Sequence, residues 1–262
     1  MSTEERNRPV AVFDSGLGGI SVLRQLYRIL PNEHYIYMGD SKNAPYGEKT
    51  TEEVYELSKQ WVDYFLERQA KAVVIACNTA TSAAAARLRR MYPDLPIIGL
   101  EPALKPAAIR YAGTDQKILV LGTSLTLRED KFQHLLHQYE NQAHFYIKPA
   151  PGLVEYIEQG KINTTEMDAY LTDLLQDYLQ EQIAAVVLGC THYPFAKADL
   201  RRVLGEQVEF FDGAEGAARQ LRRQLEERDM LNLSDVPGQV EIYNSEGHGE
   251  KESLSRKLFA LA

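Results

Sequence analysis

The chain has 262 residues, 44% of them apolar and 25% charged, with a net charge of −8. That allows one large or two ordinary globular domains with a sizeable core. The acidic balance argues against a nucleic-acid binder that works by neutralising phosphates. No apolar run approaches a membrane span, and the polar opening Met1 to Pro9 lacks the apolar core of a signal peptide.

The expected location is therefore the cytoplasm, where thiols stay reduced. Two cysteines are too few for a disulfide scaffold, and the six histidines show no metal-ligand spacing.

In chain order, Val10 to Phe13 reads as a strand, Ser21 to Leu30 as a helix and Tyr35 to Met38 as a second strand. Thr51 to Gln69 reads as a helix. Thr51 is its expected N-cap, Glu52 and Glu53 occupy its first turn, and Val54, Leu57, Trp61 and Phe65 share one face. Strands follow at Ala72 to Ala76 and Ile97 to Leu100. This βαβα order predicts a largely parallel sheet with helices on its faces.

The pattern then restarts. Ile118 to Leu121 is a strand, followed by a helix from about Leu127, a strand over His144 to Ile147, a helix over Thr164 to Gln182 and a strand ending at Cys190. Val10 and Ile118 are 108 residues apart, Cys77 and Cys190 113, and so steady an offset suggests a duplicated half. Val208 to Phe211, Ala214 to Arg228, Val240 to Tyr243 and Ser253 to Ala262 form a third group that could return to the first domain. The predicted class is α/β: two similar, pseudo-symmetric domains with mostly parallel sheets, residues 1–98 plus 208–262 and residues 99–207.

The two cysteines stand in matching contexts. Ala72-Val73-Val74-Ile75-Ala76-Cys77-Asn78-Thr79 and Ala185-Val186-Val187-Leu188-Gly189-Cys190-Thr191-His192 are each an apolar strand, a small residue, Cys, then two hydrogen-bonding residues. Runs this short suit buried parallel strands, whose carboxyl ends carry the ligands of open α/β sheets. Either cysteine alone reads first as a buried structural residue. Two of them, each followed by polar groups, read better as a pair flanking one small substrate.

Asp14, in Asp14-Ser15-Gly16-Leu17-Gly18-Gly19, is either an N-cap or a carboxylate at the mouth of the sheet able to share a proton with Cys77. The glycine-rich turn could also offer N–H groups to an anion, but Ser21 stands where a dinucleotide fingerprint needs its third glycine. His192 could serve Cys190 in the same way. The polar loop from Gly39 to Gly47 offers the Tyr46 phenol and backbone N–H groups, or is an ordinary connection. Two opposed acid/base groups suit inversion of a carbon stereocentre: one removes a proton, the other supplies one to the opposite face. A redox thiol pair lacks a C-x-x-C, and a Cys-His hydrolase leaves the second Cys unexplained.

These segments resemble the glutamate racemase family of the aspartate/glutamate racemase superfamily. The resemblance rests on Val12-Phe13-Asp14-Ser15-Gly16-Leu17-Gly18-Gly19, Gly39-Asp40 with Pro45-Tyr46-Gly47, Ala76-Cys77-Asn78-Thr79-Ala80, Glu101-Pro102-Ala103-Leu104-Lys105-Pro106-Ala107, and Leu188-Gly189-Cys190-Thr191-His192-Tyr193-Pro194.

It implies two α/β domains with the active site in the cleft between them, and a reaction that interconverts L- and D-glutamate without pyridoxal phosphate or metal. By the same resemblance Cys77 deprotonates D-glutamate with help from Asp14, and Cys190 deprotonates L-glutamate with help from His192. Ser15, Tyr46, Gly47, Asn78, Thr79, Thr123 and Thr191, with Asp14 and His192, would bind substrate.

Aligned on Pro151, Glu158 takes the place of the family's cleft glutamate, although a surface helix carboxylate is the alternative reading. The product would supply D-glutamate for peptidoglycan. Family members dimerise through different surfaces, so a homodimer is expected without a placed interface. Two other readings are a racemase of another acidic amino acid and a non-catalytic, two-lobed amino-acid-binding protein.

Overall fold

The structure, a computed structural model, describes residues 2–247 and 249–260. The chain divides into two compact units, Met1–Leu100 with Ala214–Ala262 and Glu101–Gly213. The first unit contains α1 (Thr3–Arg6), β1 (Val10–Asp14), α2 (Ile20–Ile29), β2 (Tyr35–Gly39), α3 (Thr51–Glu67), β3 (Ala72–Ile75), α4 (Asn78–Met91) and β4 (Ile97–Gly99). The second contains α5 (Leu104–Tyr111), β5 (Lys117–Gly122), α6 (Ser124–Arg128), α7 (Asp130–Tyr139), β6 (His144–Pro149), α8 (Leu153–Glu158), α9 (Thr165–Leu174), β7 (Ile183–Gly189), α10 (Lys197–Leu204) and β8 (Glu209–Asp212). Helix α11 (Ala214–Glu227), β9 (Val240–Asn244) and α12 (Glu250–Ala260) belong to the first unit.

Every strand pairing is parallel. The first sheet runs β4-β3-β1-β2-β9 and the second β6-β5-β7-β8. Read from β2 and from β6, the two share one order, with β9 as an extra edge strand on the first. The duplicated pattern in the sequence is thus a duplicated topology. It also corrects the expected boundary. Residues 208–211 were grouped with the first domain, but β8 pairs with β7 through Ala185↔Glu209 to Leu188↔Asp212. It is the counterpart of β4, and the second unit needs it to cover the far edge of β7.

The second sheet shows why its strands read as continuous apolar runs. Leu119, Leu121, Val186 and Leu188 pack on one face with α8, α9 and α10 residues, while Ile118, Val120, Ala185 and Val187 pack on the other with α5 and α7 residues. Both faces are dry, so the alternation expected of a one-sided sheet vanishes. Each such Leu, Ile or Val contributes about 1.5–3 kcal/mol on burial.

Local differences have local causes. Thr50, not Thr51, caps α3: its hydroxyl accepts from the Glu53 N–H at 3.2 Å and the Glu53 carboxylate accepts from the Thr50 N–H at 2.8 Å. The buried stripe of α3 runs through Val54, Ser58, Val62 and Phe65, leaving Leu57 and Trp61 half-buried at its edge. The expected helix over 164–182 stops at Leu174 and continues as a 3₁₀ turn, Gln176–Tyr178. The C-terminal helix begins at Glu250, and the last two residues of its expected span lie outside the described residues.

Candidate active site

In both units the reversal of strand order falls between the first and third strands of the repeat, β1 and β3 or β5 and β7. Open α/β sheets bind ligands at the carboxyl ends flanking such a reversal. Asp14 ends β1 and Cys77 follows β3, and the Ala76 N–H donates to the Phe13 carbonyl at 2.7 Å to hold the two strand ends side by side. In the second unit Gly122 ends β5 where Asp14 ends β1, Thr123 follows it as Ser15 follows Asp14, and Cys190 follows β7 in the place of Cys77. Both cysteines are buried, and neither is in a disulfide.

The contacts of Cys77 include a backbone N–H and a hydroxyl. Cys77 is the N-cap of α4, and its Sγ accepts from the Ala80 N–H at 3.4 Å. The thiol donates to Ser15 Oγ at 3.7 Å. A helix N-terminus favours negative charge, which suits a thiolate. Asp14 is wholly buried, and one carboxylate oxygen accepts from the Gly19 N–H at 2.8 Å and the Gly16 N–H at 3.4 Å. The turn therefore wraps its own carboxylate, where an external anion was one expectation. It is tight enough to require glycine: a Cβ on Gly19 would lie 2.6 Å from Asp14 Cβ, and one on Gly39 would lie 2.6 Å from the Gly16 carbonyl oxygen.

Asn78 and Thr79 follow Cys77 in the first turn of α4, both 3% exposed, and Asn78 Oδ1 is buried without a hydrogen-bond partner. Tyr46 and Gly47 lie in the short 3₁₀ turn Tyr46–Glu48. The Tyr46 phenol donates to Asp40 Oδ2 at 2.6 Å, and Asn43 Nδ2 donates to the same carboxylate. Burial, then the charge of Asp40, pushes that phenol far above the ordinary tyrosine range. Asp40 is wholly buried and was not among the expected site residues. The only trace it leaves in the sequence is the pair Gly39-Asp40 directly after a strand.

Around Cys190 the partners are ionisable. Cys190 Sγ lies 3.8 Å from His192 Nδ1, and His192 Nε2 lies 2.7 Å from Glu158 Oε1. His192 is 2% exposed and the Glu158 side chain 11%. Burial alone would push the imidazole down; its hydrogen bonds to Cys190 and Glu158 outweigh that and hold His192 well above the ordinary histidine range. The two ring nitrogens face Cys190 and Glu158 respectively.

Glu158 is thus no surface carboxylate. It ends α8, which Leu153 and Ile157 anchor in the core, while the Tyr193 phenol donates to the Ala150 carbonyl at 3.3 Å. Gly152 starts that helix at φ 88°, a left-handed value that glycine adopts without strain. Thr191, 3% exposed, separates Cys190 from His192. Thr123 caps α6, its hydroxyl accepting from the Thr126 N–H at 3.2 Å and lying 2.9 Å from Thr126 Oγ1.

Within the first unit the structure brings Asp14, Ser15, Tyr46, Gly47, Cys77, Asn78 and Thr79 to loops and helix starts at one end of its sheet. Within the second it brings Thr123, Glu158, Cys190, Thr191 and His192 to the corresponding end. No cluster of three or more His, Cys, Asp or Glu side chains able to hold a metal occurs among the described residues. No helix among them is long and apolar enough to cross a membrane.

The chain, two parallel α/β units each with a buried thiol at its reversal point, belongs to the Asp/Glu/Hydantoin racemase family, a class of isomerases, whose pattern matches residues 16–221. A glutamate racemase from Clostridium perfringens is 46% identical over 261 residues, covering 100% of both chains. Among solved structures, a glutamate racemase isoform from Bacillus anthracis superposes with a TM-score of 0.86 at 28% identity, covering 97% of this chain and 95% of that one. A glutamate racemase from Francisella tularensis in complex with D-glutamate gives 0.82 at 26% identity, covering 97% and 94%.

Proposed function

We propose that this protein is a cofactor-independent glutamate racemase in which Cys77 and Cys190 are the two bases. The observation that carries the reading is a buried cysteine, not in a disulfide, at the equivalent position of each of two topologically equivalent sheets. Full-length similarity to glutamate racemases supports the substrate.

Cys77 as thiolate takes the α-proton of D-glutamate, and the protonated Cys190 delivers a proton to the opposite face to give L-glutamate. The reverse reaction exchanges the roles. Asp14 and Ser15 serve Cys77; His192, oriented by Glu158, serves Cys190. The transition state places negative charge on the α-carbon and its carboxylate. Hydroxyl and backbone donors at Ser15, Thr79, Thr123 and Thr191 suit that charge, being preorganised in a buried setting. Asn78 Oδ1 is an unpaired acceptor suited to the substrate ammonium. Tyr46 and Gly47 complete the binding groups, with Asp40 holding the Tyr46 ring. The product is D-glutamate for peptidoglycan, made in the cytoplasm.

The test uses purified, reduced protein and L-glutamate in deuterated water with no added cofactor. The expected result is loss of optical rotation together with α-deuterium incorporation. Rotation and α-proton both unchanged, with the protein folded, would contradict the reading and turn attention to another acidic substrate or to a binding protein.

A further inference from the structure

Tyr37 sits in the middle of β2, wholly buried, beside the strand that ends in Asp14. Its phenol donates to the Gly16 carbonyl at 2.6 Å. Gly16 and Gly19 both direct N–H groups at the Asp14 carboxylate. The ring also lies against the second of these: a Cβ on Gly19 would come within 3.0 Å of both Cε2 and the phenol oxygen of Tyr37. Ser15, held between Asp14 and Gly16, is the hydroxyl 3.7 Å from Cys77 Sγ. One phenol thus fixes, from beneath, the turn that presents Asp14 and Ser15.

Tyr35 supplies an internal comparison. It lies on the same face of the same strand, is 1% exposed, and donates its phenol to the Leu26 and Leu30 carbonyls at 3.2 and 3.0 Å. Those carbonyls are at the far end of α2, remote in sequence from the 15–19 turn.

We infer that Tyr37 is a positioning residue for the half-reaction at Cys77, acting through the 15–19 turn that it pins. The inference rests on the two-thiol reading above. A sub-ångström shift of a catalytic turn costs rate without necessarily weakening binding.

The test compares Tyr37→Phe with Tyr35→Phe, and with His192→Asn as a reference for the Cys190 half. Enantiomers have equal free energies in water, so kcat/KM is the same in both directions and a rate loss alone does not say which thiol slowed. Primary isotope effects on kcat/KM do, measured separately with α-deuterated D- and L-glutamate. Slowing the step at Cys77 raises the effect for the enantiomer it deprotonates and lowers it for the other.

For Tyr37→Phe the expected result is a kcat lower by roughly ten- to a hundredfold, with KM changed less. Its isotope effects should shift in the sense opposite to those of His192→Asn. Tyr35→Phe should lower the melting temperature and leave kcat and both isotope effects as in the parent. Gly19→Ala, whose methyl would crowd Asp14 Cβ and the Tyr37 ring and force the same turn to shift, should move the isotope effects as Tyr37→Phe does, and is the second variant if Tyr37→Phe fails to fold. Parent-like kinetics in the folded Tyr37→Phe protein, or a shift in the same sense as His192→Asn, would overturn the inference. A parent protein that neither racemises nor exchanges the α-proton would instead contradict the two-thiol reading itself.

Discussion

Cys77 and Cys190 occupy equivalent points of equivalent sheets, yet their neighbours differ in kind. Cys77 caps a 14-residue helix and touches a backbone N–H and a serine hydroxyl. Cys190 stands two residues before His192, the N-cap of a 3₁₀ turn, Tyr193–Ala196, that runs directly into α10, and its partner is an imidazole beside a carboxylate. Cys77 is itself an N-cap, so its Sγ meets the aligned N–H groups of α4, whereas Cys190 stands outside its helical segment, before the N-cap His192. There a side chain, His192, faces the thiol, and Glu158 favours its charged form. The thiol sits at the same point of both sheets, while the groups that meet it differ.

The comparison can be broken most severely at the thiols. Cys77→Ser and Cys190→Ser should each lower turnover by about a thousandfold or more, because a serine hydroxyl is far less acidic. Polarimetry from each pure enantiomer would show it, and a near-parental rate for either variant would end the claim of two equivalent bases. His192→Asn should cost less, about a hundredfold, and should raise the isotope effect on the side that Cys190 deprotonates. Ser15→Ala should cost only a few-fold, since backbone donors remain around Cys77.

Glu158→Gln sharpens the contrast through pH. His192 is raised in the fold, so the stability it draws from its partners is complete below its unfolded value of about 6.5 and is lost as pH rises through the folded value. Losing the Glu158 charge should therefore lower the melting temperature by a few degrees in mildly acidic buffer, with the gap to the parent closing at alkaline pH. Its activity should fall roughly tenfold, with the pH profile displaced. A gap independent of pH would show that Glu158 contributes packing and not charge.

Much of this was legible in the sequence because parallel strands buried on both faces are spelled as short apolar runs. Val10 to Phe13, Ala72 to Ile75 and the strand before Cys190 lie where those runs place them. Partner choice was less legible: residues 208–211 carry no mark of which sheet they join, and only the repeat in topology explains their pairing with β7. Helix type was also hidden. Leu174, Leu175 and Leu179 keep helical spacing while the backbone tightens to 3₁₀ after Leu174, since apolar spacing reports burial and not hydrogen-bond register.

At the candidate site, Asp14, Cys77, Thr123 and Cys190 lie beside strand ends, where the sequence leads us to expect them. Glu158 was placed only by resemblance, because 34 residues separate it from His192. Asp40 and Tyr37 were missed, since each acts by holding a neighbour, and a buried polar residue inside a strand or behind a turn has no periodic signal.

The central claim is that two separate bases serve the two faces of one α-carbon. The most direct measurement stops the reaction of protiated L-glutamate in deuterated water at low conversion, separates the enantiomers and reads α-deuterium in each. Two bases predict D-glutamate fully deuterated at the α-carbon and residual L-glutamate still protiated. D-glutamate that retains the substrate's own hydrogen would show a single base carrying the proton across, and would contradict the account.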